Sequence, residues 1–158
     1  MAAGPPRPAE LEPVAFLLGT WRGEGAAEYP TTETFAYGEE LAFEHVGKPY
    51  LLYAQRSWLL EDGSPLHFER GFLRPLGEGR VDLVLAHPLG VAEVSEGTVS
   101  SGVLELSSVA VVRTSTGDPV TALARRYELR GGELLSEGRM ATEEVALTLH
   151  TMATLRRV

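Results

Sequence analysis

The sequence predicts an all-β protein: a ten-stranded antiparallel up-and-down β-barrel with a short N-terminal helix. Three observations carry that expectation. The 17 Gly and 10 Pro of the 158 residues are spread along the chain at intervals of about ten, as turns between short strands require. Beyond Leu18 the apolar residues keep a two-residue period, the period of a strand with one buried face. The segments so marked number about ten, and an antiparallel meander of that size removes its two edges by closing on itself. A sandwich of the same strand count is the rival arrangement, and only the barrel keeps interior room for a small ligand.

Taken in order, residues 1–9 (MAAGPPRPA) are Pro-rich and read as a disordered tail, with the folded domain over 10–158. Glu10 to Leu18 reads as the one helix, its Leu11, Val14, Ala15, Phe16 and Leu18 covering the end of a core. A first strand comes next, near Thr20 to Glu28. Thr34 to Glu44 alternates Phe35, Tyr37, Glu39, Leu41 and Phe43 with smaller or acidic residues, and Pro49 to Leu59 pairs back across a tight turn. Glu61-Asp62-Gly63-Ser64 turns the chain into Pro65 to Leu73. The remaining strands are expected over Arg80 to Ala86, Gly90 to Glu96, Val103 to Val111, Val120 to Leu129, Glu133 to Met140 and Glu143 to Arg156.

Composition narrows the chemistry. With 44% hydrophobic and 23% charged residues the chain can bury a core. No Cys is present, which excludes disulfide scaffolds, thiolate metal sites and thiol nucleophiles, so a bound metal must use His or carboxylates. The net charge of −8 and the lack of a basic cluster argue against nucleic acid as a partner. The N-terminus lacks the apolar run of a signal peptide and no segment matches a membrane helix, so no membrane partner and a cytoplasmic location are expected.

The four histidines, His45, His67, His87 and His150, show no HxH or HExxH spacing. His45, beside Val46-Gly47-Lys48, and His87, before Pro88, read as solvent-facing turn residues. His150 shares a strand face with Ala146, Thr148, Met152 and Thr154. If that face lines the interior, the ring points into a cavity and can ligate a metal or haem iron; otherwise it is a buried His bonded across the sheet. His67 lies on a face with Pro65 and Glu69 and is open to two readings, a second imidazole near a ligand or a partner for a carboxylate. On Val120 to Leu129, Arg126 lies behind Val120, Ala122 and Ala124, where its fork could meet an anionic ligand such as a propionate; a surface Arg is the alternative. The string Gly19-Thr20-Trp21-Arg22-Gly23-Glu24-Gly25 reads GxWxGxG. Its role is architectural: the Trp plugs a barrel end and the glycines let the first strand bend.

Several blocks in one order, LLGTWRGEG, YPTTETFAYGEE, HVGKP, PLHFERGFLRP, GVAEVSEG and the C-terminal MAT…LH…TLRR, give the chain a resemblance to nitrobindin from about Leu11 to Arg157. That family of haem-binding β-barrels, lipocalin-like or fatty-acid-binding-protein-like in fold, also forms the C-terminal domain of a human THAP-type zinc-finger protein. The resemblance implies a ten-stranded barrel and one ferric haem b per chain, with His150 as the axial iron ligand. It further implies cofactor contacts from Thr31, from His67 and from a basic residue, Arg126 or else Arg125. Nitric oxide and peroxynitrite are the implied small-molecule ligands, and isomerisation of peroxynitrite to nitrate the implied activity, with the iron doing the chemistry and no protein acid or base assigned. A homodimer is a further possibility. Leu66 replaces a frequent Met, and His87-Pro88-Leu89 a more polar stretch, which reshapes the pocket mouth. The alternatives are a haem-free intracellular carrier of fatty acid or another small apolar ligand, and a barrel that only binds partners.

Overall fold

The structure is a computed structural model and describes residues 3–158. Its ten strands are β1 (Gly19–Tyr29), β2 (Thr32–His45), β3 (Leu51–Leu59), β4 (Pro65–Gly77), β5 (Arg80–His87), β6 (Val91–Ser100), β7 (Val103–Arg113), β8 (Val120–Arg130), β9 (Glu133–Thr142) and β10 (Thr148–Arg157). Neighbours in sequence pair antiparallel, and β1 pairs with β10, so the sheet is a closed barrel and the sandwich is excluded. The last strand is shorter than expected. Residues 143–147 form the β9–β10 loop, whose turn is held by the Thr142 hydroxyl accepting from the Glu144 and Val145 N–H groups.

The expected helix is a 3-10 helix over Ala9–Leu17 with Pro13 inside it. Pro13 offers no N–H and disfavours the α conformation at Glu12, which blocks a regular α-helix. Three residues per turn instead put Leu11, Val14 and Leu17 on one face, and all three are fully buried. The expected disordered tail falls in part on Met1 and Ala2, which lie outside the described residues. Of the rest, Pro5 lies beside Gly47, and Arg7 pairs with Glu12 at 2.6 Å.

The helix meets β4 and β6 at one end of the barrel, the end that carries the β4–β5, β6–β7 and β8–β9 turns. Each of these turns is two residues long with both φ values positive, at Glu78-Gly79, Ser101-Gly102 and Gly131-Gly132. That is the type I′ geometry that matches strand twist. Five longer or looser connections, Pro30-Thr31 among them, meet at the opposite end and leave it open.

Trp21 closes the helical end. It is almost wholly buried, donates its indole N–H to the Leu17 carbonyl at 2.7 Å, and carries the Arg157 guanidinium 4.4 Å above its ring. The next two glycines of the strand serve closure rather than a bend alone. A Cβ on Gly23 would lie 2.0 Å from the Thr154 carbonyl oxygen and one on Gly25 2.2 Å from that of Met152, so β1 rides directly on the β10 backbone. Leu41, Phe43, Leu51, Leu73, Leu83, Leu104, Leu134 and Leu155 complete an apolar layer around Trp21.

Two substitutions test this closure. Trp21→Ala empties the plug and is expected to destabilise the barrel by about 3–5 kcal/mol in urea unfolding. Gly23→Ala, although smaller in volume change, is expected to lower the melting temperature at least as much, because its methyl meets backbone that cannot retreat.

Candidate functional site

Above the apolar layer the inward positions turn polar. β4 runs Leu73, Gly71, Glu69, His67 toward the open end, β5 runs Leu83, Leu85, His87, and β3 runs Leu51, Tyr53, Gln55, Ser57. These side chains form the floor and lower walls of a cavity of about 380 Å³, within the range of small-ligand sites. Its upper walls are apolar, with Ala27, Phe35, Leu66, Leu89, Val91 and Leu123 among them.

Arg125 organises the floor. Its guanidinium grips Glu69 through both terminal nitrogens, with Nη2 donating to Oε2 at 3.0 Å. It grips Glu93 through Nη2 to Oε1 at 2.8 Å and Nε to Oε2 at 3.1 Å. Tyr53 donates to Glu69 at 2.6 Å and lies 2.9 Å from the Tyr127 hydroxyl, and Ser95 donates to Glu93 at 2.7 Å. Burial alone would raise both carboxyls, but the Arg125 charge and hydrogen bonds from His67 and His87 outweigh it. Glu69 is held far below the usual carboxylate range and Glu93 at about 2. Burial, reinforced by the charge of Glu69, raises the Tyr53 phenol well above its usual value, and burial likewise lifts Tyr127 to about 12, so both stay neutral donors.

Glu39, across the floor, behaves oppositely. Burial pushes its carboxyl up to about 7 against weak bonds from Gln55 and Ser136, both at 3.3 Å. Glu39 Oε2 and Gln55 Oε1 are buried without a protein partner among the described residues. A protonated Glu39 is therefore the form this corner of the cavity favours.

The histidines divide differently from the sequence expectation. His45 is the last residue of β2, part-buried beside the turn and accepting from the Gly47 N–H at 3.4 Å. His87 is not a solvent-facing turn residue: it ends β5 on the same inward parity as Val81, Leu83 and Leu85, and its side chain is only 6% exposed. Its Nε2 lies 3.1 Å from Glu93 Oε1, and its Nδ1 3.2 Å from His67 Nε2. His67 in turn lies 3.1 Å from Glu69, so the carboxylate-partner reading holds and a neighbouring imidazole is present too.

His150 lines the cavity, but not for the expected reason. The inward face of β10 is Thr151, Ala153 and Leu155, while Met152 on the face assigned to His150 is 47% exposed. A bulge intervenes: the pairing with β9 slips between Leu149 and Thr151, leaving His150 as the extra residue, which turns both it and Thr151 toward the cavity. There Nδ1 lies 3.1 Å from the Glu28 carbonyl oxygen, and the Tyr29 ring stands edge-on at 5.1 Å.

Arg126 is a correction. It points outward, 38% exposed, and pairs with Glu105 and Glu128; Arg125 is the residue inside. A register slip between Val120 and Ala122 is the cause, since it puts Val120 and Arg125 on the same side despite their odd separation. A second guanidinium, Arg139 on β9, lines the cavity mouth, half-exposed and paired with Glu137 at 2.9 Å; no pattern in the sequence singles it out. Thr31 sits exposed in the β1–β2 turn, outside the cavity lining and two residues beyond Tyr29.

Residues 10–157 match the family described as the THAP4-like, heme-binding beta-barrel domain. The chain is 49% identical to "Peroxynitrite isomerase 2" of Mycobacterium ulcerans (strain Agy99), over 95% of this chain and 98% of the relative. It is 40% identical to "Peroxynitrite isomerase Rv2717c" of Arabidopsis thaliana, over 98% and 92% respectively. The crystal structure of Rv2717c from M. tuberculosis superposes with a TM-score of 0.89 at 41% identity, covering 97% of this chain and 99% of that one.

The floor makes two measurable statements. Arg125→Met leaves two carboxylates buried and unpaired and is expected to cost about 3–5 kcal/mol in urea unfolding. Arg126→Met removes only exposed pairs and is expected to cost under about 1 kcal/mol. The raised carboxyl of Glu39 keeps a proton in the folded state that the unfolded chain releases from pH 4.5 upward, so stability falls as pH rises through 4.5 to 7. Glu39→Gln abolishes that fall. Its stability relative to the parent is expected to grow by up to about 3 kcal/mol between pH 4 and pH 8, read from paired thermal melts.

Proposed function

The chain belongs to the THAP4-like, haem-binding β-barrel family, and from that premise we propose that it holds one ferric haem b in the open-ended cavity, binds nitric oxide there and isomerises peroxynitrite to nitrate. The observation that carries the reading is the state of His150. A carbonyl oxygen can only accept, so His150 Nδ1 donates to Glu28, and in the neutral ring this tautomer leaves on Nε2 the lone pair that iron needs. Tyr29 fixes the plane of the ring.

The lining suits a flat apolar macrocycle with an anionic edge. Phe35, Leu66, Leu89, Val91 and Leu123 supply the apolar walls. Arg125 is committed to Glu69 and Glu93, whereas the half-exposed Arg139 at the mouth pairs with Glu137 alone among the described residues and is the cation best able to meet a propionate. Thr31 belongs to the proposed contact set as a rim residue, through its closeness in the hairpin to Tyr29.

When bound, the haem iron supplies the electrophilic centre for peroxynitrite oxygen. The protein fixes the tautomer of the histidine through the Glu28 carbonyl and excludes water with the apolar walls, while Tyr53 and Tyr127 below stay protonated within the floor network. The rival reading, a haem-free carrier of fatty acid, fits the floor less well. A fatty carboxylate would join Glu69 and Glu93 around a single Arg125.

Titration of the full chain with ferric haem is expected to give a Soret band that saturates at one haem per chain. His150→Ala is expected to lose that band or to weaken haem binding at least tenfold; an unchanged spectrum and affinity would remove His150 as the ligand.

A further inference from the structure

We propose that the barrel interior holds a second metal site, separate from His150: a divalent zinc-class ion bound by His67 Nε2, Glu69 Oε2 and His87 Nδ1. The three atoms form a nearly equilateral triangle, with edges of 3.1 Å from His67 to Glu69, 3.2 Å from His67 to His87, and 3.3 Å from His87 to Glu69. Ligands at about 2.0–2.1 Å around a tetrahedral ion stand about 3.3–3.4 Å apart, so the triangle has the size of one tetrahedral face. Two imidazoles and one carboxylate are also the donor set of a borderline divalent ion with an open position.

The surroundings prepare the donors. Glu93 Oε1 lies 3.1 Å from His87 Nε2, where a carboxylate oxygen accepts the ring N–H. The His87 proton is thereby fixed on Nε2, and Nδ1 faces the triangle with its lone pair free. A carboxylate behind a ligating histidine in this way orients the ring and raises its basicity. Glu69 is anchored through Arg125 and Tyr53, and the remaining lone pair of Oε2 faces His67 Nε2; the ion would replace the proton between them, with His67 changing to its Nδ1–H tautomer. Charge points the same way. Arg125 at +1 against Glu69 and Glu93 at −1 each leaves the floor at 1 − 2 = −1, in an interior where an unbalanced charge is costly.

All three ligands line the cavity, so the fourth position is filled from it, by water or by an anionic oxygen of a small molecule. The site would thus act as a Lewis acid at the cavity floor, independently of haem at the wall. His67 and His87 come from β4 and β5, and His150 from β10, so the two sites share no ligand.

Cobalt(II) titration of the full chain without haem tests the site, because tetrahedral Co2+ shows strong visible d–d absorption. One equivalent is expected to bind and to be displaced by Zn2+. Binding is expected to weaken at least 100-fold in His67→Ala and in His87→Gln, and to be unchanged in His150→Ala. Retained binding in either of the first two variants, loss in the third, or no saturable binding by the parent would each overturn the proposal. His67 is part-exposed, so His67→Ala decides the matter if circular dichroism shows that His87→Gln has not folded.

Discussion

The bidentate grip of Arg125 on Glu69 and Glu93 is the constraint around which the interior is arranged. Three charges sit inside the barrel with little access to water, and such a cluster is tolerated only when its donors and acceptors are matched. Four guanidinium hydrogen bonds meet four carboxylate oxygens and a fifth meets the Tyr53 hydroxyl, while Tyr53, Ser95 and the two histidines take up remaining carboxylate capacity and Tyr127 bonds Tyr53. Because the cluster spans β4, β6 and β8, it fixes the relative heights of strands that are not neighbours. It also divides the interior, with leucines below and a ligand-sized cavity above.

The two halves of the barrel therefore answer to different physics. Below the floor, Trp21, Phe43 and the leucines fill space, and the helix and the glycine-lined seam of β1 on β10 seal it. Above it, burial is used to set protonation states. The same barrel lowers Glu69 and raises Glu39, since one has a cation and the other has only amide and hydroxyl neighbours. A layer of ionised acids, neutral phenols and a carboxyl with a raised pKa within one small volume gives the cavity several kinds of hydrogen-bonding group.

Much of this is legible in the sequence wherever the two-residue period runs unbroken. Alternation alone places Leu41 and Phe43, or Leu83 and Leu85, inside, and the turn glycines Gly79, Gly102, Gly131 and Gly132 mark the hairpins. The misplacements fall at bulges. A bulge adds one residue and reverses the parity of the rest of the strand, and nothing in Val120-Thr121-Ala122 or Leu149-His150-Thr151 announces it. Strict alternation thus groups Arg126 with the inward Val120, and His150 with the outward Met152. His87 is a different case. Its parity with Val81, Leu83 and Leu85 places it inside, but Pro88 beside it makes it look like turn. The helix type is readable too, since Leu11, Val14 and Leu17 recur every three residues rather than at 3.6.

The bulge that hides His150 also gives it the access to the cavity that its proposed role requires. A regular strand would turn His150 to the outside with Met152, or, one residue over, bury it behind Thr151 and Ala153 in the packed column. As an extra residue, it escapes both fates: its ring reaches the cavity wall while its backbone is released from strict pairing with β9. The opposing strand shows the same accommodation, since a Cβ on Gly138 would meet the Thr151 hydroxyl at 2.5 Å. The neighbouring slip of β1 against β2, between Ala27 and Tyr29, surrounds Glu28, whose carbonyl oxygen is the atom that orients the imidazole. Two irregularities on adjacent strands thus combine into one aimed nitrogen at the wall of the cavity.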